Sequence, residues 1–220
     1  MLLWGQRPCC CKPVVISDET SIHQVSILPK TNGSGQAKTL NATQLDQLID
    51  AAPGADHRCL WSVMRWSGSR VSETLQLRWN AIHDERIVFV KSTTKTRATR
   101  EVLIAPRLQQ ELLRYRLERA ELRHRLPMPR ELLFPGRWGG TDPMTRQWAD
   151  HVLRNTMKGL ELPSGCSLHS FRRSLATSMA AKGVGLKTIT AFTGHRSLQQ
   201  LQAYIDVSAA DERLALAALE

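Results

Sequence analysis

His169-Ser170-Phe171-Arg172-Arg173, then Thr193-Gly194-His195-Arg196, then Tyr204: the last quarter of this 220-residue chain gathers imidazoles, guanidiniums and one of its two tyrosines. His169 and Arg172 are three residues apart, so on a helix they share a face. Gly194-His195 suits a helix end, where a glycine takes a left-handed backbone and aims the next side chain. Tyr204 follows His195 by nine residues. Each feature is commonplace by itself. A His/Arg pair reads as a solvated surface pair, Gly-His as a turn, and a tyrosine as half-buried packing with a wet hydroxyl. Their order and spacing carry the weight.

Working outward, the flanking segments read as helices. The spacing predicts helices over about His169 to Ala181, Leu186 to Phe192 and Leu198 to Tyr204, with a short Ala/Leu-rich helix from Ala209 to Leu219. Met144 to Lys158 is a further helix. Arg107 to Leu126 is a long one, with Leu108, Leu112, Leu113, Leu117 and Leu122 expected as its apolar stripe. Near the start of the ordered domain, Asn41 and Gln44 form a capping-box pair ahead of Leu45, Leu48 and Ile49. A second helix is expected from His57 to Ser67, broken at Gly68, and a third from Ser69 to Trp79. Arg86-Ile87-Val88-Phe89-Val90 and Glu101-Val102-Leu103-Ile104 are β-rich, joined by a polar, basic stretch from Lys91 to Arg100. The pattern is mainly α with a small antiparallel β-hairpin. Residues 1–37 lack sustained periodicity and read as an irregular arm, with a short strand at Val14-Val15-Ile16; residues 38–220 read as one domain.

Composition narrows the function classes. Thirty Lys+Arg against twenty Asp+Glu leave a formal charge of +10, which suggests a polyanionic partner. From Lys91 to Arg130 alone, eleven Lys/Arg stand against four Glu. Part of the Arg107–Arg125 helix pairs internally, Arg114 with Glu118 and Glu121 with Arg125, so much of it reads as a solvated face. No apolar run approaches the roughly 18 residues of a membrane span. Five cysteines, three of them consecutive at Cys9-Cys10-Cys11, form no C-x-x-C pair; a structural zinc site has little support, and the setting reads as reducing and cytoplasmic. No carboxylate cluster suggests a bound Mg²⁺, so no cofactor or metal is expected.

Taken together, these motifs resemble the tyrosine recombinase (phage integrase) family. Its C-terminal signature is H-x-x-R, then G-H, then a tyrosine nine residues on, as in His169-Ser170-Phe171-Arg172, Gly194-His195 and Tyr204. Its earlier arginine box looks like Gly68-Ser69-Arg70-Val71-Ser72-Glu73-Thr74-Leu75. Its hairpin lysine is similar to Lys95-Thr96 ahead of Arg100, and its Leu-Phe-Pro appears as Leu133-Phe134-Pro135. The resemblance covers about residues 38–220. It implies the family's catalytic-domain fold and the breaking and rejoining of double-stranded DNA through a 3′-phosphotyrosyl link, in integration or inversion.

The resemblance also implies roles. Tyr204 is the nucleophile. Arg70 and Arg172 clamp the scissile phosphate, His169 assists removal of the tyrosine proton, and His195 hydrogen-bonds a phosphate oxygen. Lys95 protonates the leaving 5′-oxygen, with Lys91 on the same hairpin as the alternative. Glu73 orients Arg70 or braces its helix. Lys91, Arg97, Arg100 and Arg173 are expected DNA-backbone contacts. The chemistry fits these residue types: a tyrosine near pKa 10 needs a base or a cationic setting, and arginines meet developing phosphate charge. Family members usually carry an N-terminal core-binding domain, for which 37 residues are too few. The likeness is therefore to short recombinases or, equally, to a truncated relic of a mobile element, with weaker, steeply salt-dependent DNA binding. A tetramer on two DNA sites, with accessory DNA-bending proteins, is the implied assembly; the C-terminal helix packs either on a neighbour or on its own domain. The competing readings are a decayed DNA-binding accessory protein and a type IB topoisomerase or telomere resolvase.

Overall fold

The first described residues fasten a short extended segment onto a later helix. The computed structural model describes residues 36–90, 92–94, 98–136 and 141–195, with 197, 199 and 201. In it Lys38 N donates to the Gly165 carbonyl at 3.0 Å and Leu40 N to Ser174 Oγ at 2.7 Å. Ala37 and Leu40 are already buried there.

The expected capping box starts α1 (Ala42–Asp50): Asn41 Oδ1 accepts from Gln44 N at 2.8 Å, and Gln44 Oε1 from Asn41 N at 3.0 Å. The next helix, α2 (Ala55–Ser67), is the central element and packs against α1 and three later helices. It is buried nearly all round, through Cys59, Leu60, Trp61, Val63 and Met64, which is how a helix enclosed on all sides reads. Gly68 ends it with φ +60°, and a Cβ there would sit 2.9 Å from Leu175 Cδ2. The left-handed backbone favours glycine, and any side chain there would have to displace the Leu175 methyl.

The third helix is shorter than its sequence suggests. α3 spans only Val71–Leu75, and a 3-10 turn follows at Trp79–Ala81. Tertiary bonds take the rest: Leu133 N donates to the Leu77 carbonyl at 2.8 Å and Trp79 N to the Glu131 carbonyl at 3.1 Å. Arg78 and Leu132 form an isolated antiparallel bridge, so the chain straightens to bury Leu77 against Leu133.

The strands are β1 (Ile82–His83), β2 (Arg86–Phe89) and β3 (Arg100–Leu103), antiparallel in the order β1-β2-β3, with Ile87 opposite Val102. β1 adds a strand that the hairpin reading lacked. Ile87, Phe89 and Val102 point inward.

In α4 (Pro106–Arg123) the expected leucine stripe divides. Leu108, Leu112 and Tyr115 are buried, whereas Leu113, Leu117 and Leu122 are exposed, Leu117 to 58%. At 3.6 residues per turn, Leu113 and Leu117 lie about 140° and about 180° round from Leu108, on the far side of the helix. Tyr115 holds the inward position instead, stacked between Trp79 and Phe134. The remaining helices are α5 (Arg146–Gly159), α6 (Leu168–Ala181) and α7 (Leu186–Thr193). No helix among the described residues is long and apolar enough to cross a membrane. The helices expected over Leu198–Tyr204 and Ala209–Leu219 lie wholly or mostly outside the described residues, as does the Val14–Ile16 strand.

Candidate active site

Two helix ends meet at the site. Ser67-Gly68 closes α2, and Phe192-Thr193-Gly194 closes α7, with Gly194 in the left-handed region at φ +73°. Helix C-termini expose carbonyls with no intrahelical donor and carry partial negative charge. Three guanidiniums supply the missing donors.

Arg172 reaches across from α6, only 1% exposed. Its Nη1 donates to the Gly68 carbonyl at 2.7 Å and to the Thr193 carbonyl, so one side chain ties both helix ends. Arg70 occupies the cap position before α3. Its Nη1 donates to Glu73 Oε1 at 2.8 Å, and its Nη2 reaches the Gly194 carbonyl at 3.4 Å. Glu73 is 1% exposed and braces the Arg70 box, as its place in the sequence suggests. Its other oxygen, Oε2, faces Arg100 Nη2 at 3.4 Å.

The two imidazoles sit in this cationic surround. His169 lies one turn before Arg172 on α6, whose start is capped by Ser167. Burial, then Arg172 and Arg70, pull its pKa down to about 4. His195 follows the Gly194 turn. Burial, then Arg172 and Arg70, lower it to about 3. Both rings are therefore neutral at pH 7. Thr193 Oγ1 donates to the Ile189 carbonyl at 2.6 Å, so it accepts from His195 Nδ1–H, also at 2.6 Å. This assigns the Nδ1–H tautomer and leaves Nε2 as the acceptor nitrogen of the neutral ring.

Four of the six expected chemical residues, Arg70, His169, Arg172 and His195, thus converge from α3, α6 and the end of α7. Lys95 and Tyr204 lie outside the described residues, as do Lys91 and Arg97.

Two expected DNA contacts are placed otherwise. Arg173 is buried, and its Nη1 donates to the Ala37 carbonyl; it fastens the chain's entry segment to α6 instead of reaching outward. Arg100 turns inward on β3, its side chain 10% exposed, and donates to the carbonyls of Ser67 (3.2 Å) and Phe192. The signal was available for Arg100: period-two alternation sets it on the same face as buried Val102. Thr193, which orients His195, and Ser167, which caps α6, carried no sequence signal beyond being hydroxyl residues at helix ends.

The second tyrosine, Tyr115, is fully buried. Its hydroxyl contacts Asp56 and the Leu133 carbonyl, and burial with the nearby Asp56 charge pushes its pKa far up. Among the described residues, no three His, Cys, Asp or Glu side chains gather as a metal-holding group.

Comparisons with known proteins bear on the family and the fold. The phage integrase family model matches residues 38–211. Tyrosine recombinase XerC of Mesorhizobium japonicum is 28% identical over 190 residues, covering 85% of this chain and 58% of that protein. Tyrosine recombinase XerD of Corynebacterium glutamicum is 29% identical over 192 residues, covering 83% and 61%. The crystal structure of XerA recombinase matches the fold with a TM-score of 0.68 at 20% identity, over 88% of this chain and 67% of that one. The chain spans about half to three-fifths of the length of the curated relatives it matches.

Proposed function

Because the chain belongs to the phage integrase (tyrosine recombinase) family, we propose that it is a site-specific DNA recombinase of integrase or invertase type. One observation carries the reading. Arg70 and Arg172 arrive from different elements on successive carbonyls of one turn, beside His169 and His195. Carbonyl acceptors hold Arg172 in place without cancelling its charge, and Glu73 offsets only part of the charge of the cluster. Such a pocket favours an anion with oxygens on several sides, as a phosphodiester has.

In this mechanism the Tyr204 oxygen attacks phosphorus. The new bond is the phosphotyrosyl P–O, and the bond that breaks is P–O5′. The phenolic proton passes to His169, which is neutral and able to accept it. The leaving O5′ takes a proton from Lys95. Arg70 and Arg172 meet the charge that develops on the non-bridging oxygens. His195 rests as a neutral acceptor at Nε2. The incoming phosphate charge raises its affinity for a proton, and the imidazolium then donates to a phosphate oxygen. The burial and raised pKa of Tyr115 support Tyr204 as the nucleophile. No step draws on a metal or ATP.

Double-stranded DNA is the partner, and the +10 charge favours it electrostatically. Four protomers on two sites, with accessory bending proteins, complete the assembly inside the cell. The test is a nicked suicide duplex carrying the target site, which traps the covalent adduct. Wild type forms a denaturant-stable protein–DNA band and Tyr204→Phe forms none. Equal trapping by Tyr204→Phe sinks the nucleophile assignment. DNA retention with no adduct in wild type identifies a binding module, and relaxation of plasmid lacking any target site identifies a topoisomerase.

A further inference from the structure

Arg100 is a cation of this region that the mechanism does not use. It opens β3, directly after the hairpin segment that carries Lys95 in the sequence. Its guanidinium lies 4.5 Å over the Phe89 ring, which fixes its plane from the sheet side. From there it donates to the Ser67 carbonyl at 3.2 Å, to the Phe192 carbonyl, and to Glu73 Oε2 at 3.4 Å.

The pattern of acceptors is the telling point. Along the end of α7, the carbonyls of Phe192, Thr193 and Gly194 accept in turn from Arg100, Arg172 and Arg70. Along the end of α2, Ser67 accepts from Arg100 and Gly68 from Arg172. Arg100 therefore repeats the Arg172 bridge one residue earlier on both strands of the corner. It also lies directly under the turn: a Cβ on Gly194 would sit 3.0 Å from Arg100 Nε and 3.1 Å from its Cδ. The Arg100 stem thus packs against the turn that leads into His195.

Glu73 supplies the second link. Its two oxygens are divided, Oε1 to Arg70 and Oε2 to Arg100, while Oε2 also accepts from Arg70 N at 3.3 Å. Removing the Arg100 guanidinium releases Oε2 to draw Arg70 into a two-oxygen grip. Arg70 would then turn away from the Gly194 carbonyl and from any phosphate beside it.

We infer that Arg100 is a positioning residue for the scissile phosphate: it clamps the α2 and α7 ends in register, supports the Gly194-His195 turn and holds Glu73 so that Arg70 faces the substrate. It touches neither DNA nor the reacting atoms. The inference rests on the proposed strand-cleavage function and adds a residue to that same site.

The test is Arg100→Lys in the full chain, with Arg100→Gln beside it. Lysine keeps the charge but cannot span two carbonyls and a carboxylate with one planar fork. Three measurements are made: thermal unfolding, duplex retention in a gel, and the single-turnover rate of adduct formation on the suicide duplex. The assay temperature is set 20 °C below each variant's own midpoint. The expected result is DNA retention within about threefold of wild type and cleavage slowed about 100-fold, the scale of a 1 Å misplacement at a reacting centre. Adding Glu73→Gln to Arg100→Lys is expected to return part of that rate, since no carboxylate then draws Arg70 away. If wild type forms adduct and both folded Arg100 variants cleave at wild-type rate, the positioning role is overturned. A deficit that vanishes at the adjusted temperature assigns Arg100 to stability alone and overturns it equally. If wild type forms no adduct, the cleavage function itself has failed, whatever Arg100 does.

Discussion

Along α4 the arginines face carboxylates; around the Thr193–Gly194 turn they face carbonyls. Arg58 binds Glu111 and Glu118, each at 2.8 Å, and Arg114 also reaches Glu118 at 3.0 Å. Arg123 and Arg125 share Glu131, and Arg119 lies 3.9 Å from Asp56. At the turn, Arg70 and Arg100 share one carboxylate, Glu73, and Arg70, Arg100 and Arg172 all hold backbone oxygens. A carboxylate cancels the charge it orients, whereas a carbonyl orients the guanidinium and leaves the charge in place. The chain's +10 is therefore unevenly useful. Much of the α4 share is spent within the protein, whereas at the turn one carboxylate meets two of three arginines and net positive charge remains for an anion.

Arg172→Lys breaks this comparison most severely. The lysine retains one positive charge but loses the fork that joins the Gly68 and Thr193 carbonyls. Single-turnover adduct formation on a suicide duplex is expected to fall by roughly 10³, the lower range for an arginine acting on a transferring phosphoryl group. DNA retention should persist. Cleavage within tenfold of wild type would show that charge alone suffices and that carbonyl orientation is irrelevant.

That same contrast marks how far the sequence could be read. The spacing of His169 and Arg172 already placed them on one helix face, and Asn41 with Gln44 already described their cap, because both are local rules acting within one turn. The hairpin followed from alternation. The failures all involve partners distant in sequence. α3 stops at Leu75 because residues 131–133 offer Leu77 and Trp79 better bonds than helix continuation does. Leu113 and Leu117 share the residue type of Leu108 but not its azimuth, and Tyr115 fills the core position between them. Arg173 and Arg100 share the residue type of phosphate contacts, yet each meets a backbone carbonyl far away in sequence. An arginine's destination depends on which acceptor the fold brings near, and composition does not hold that information.

A pH titration sharpens the comparison by separating the two regions into different windows. His169 and His195 are held at about 4 and about 3 when folded, against an ordinary 6.5. Below pH 6.5 the unfolded chain takes up protons that the folded site refuses, so stability falls with pH until the folded values are passed. Buried His57 is shifted downward too and adds in the same direction. Just past the end of α4, the Glu131 carboxyl is lowered by Arg125 from an ordinary 4.5. Its contribution is present above 4.5 and is lost only as pH falls through its lower folded value. The melting temperature should therefore decline already between pH 7 and pH 5, before the Glu131 carboxyl titrates. Short duplex DNA should lessen that decline, since phosphate offsets the arginine charge that depresses both histidines. A flat melting temperature over this range would rule out neutral buried imidazoles at the site.

The smallest expected effect comes from Arg114→Ala. Arg114 is mostly exposed and pairs with Glu118 one turn on, a geometry worth about 0.3–0.5 kcal/mol. Glu118 retains Arg58 after the change, so no buried charge is stranded. At about 2–4 °C per kcal/mol for a domain of this size, the midpoint should move by no more than about 2 °C. Adduct formation should match wild type, because the lost charge was already matched by a carboxylate. A loss of cleavage near that of Arg172→Lys would mean that α4 lies against the reacting duplex, and that carboxylate-paired arginines contribute to the anion site after all.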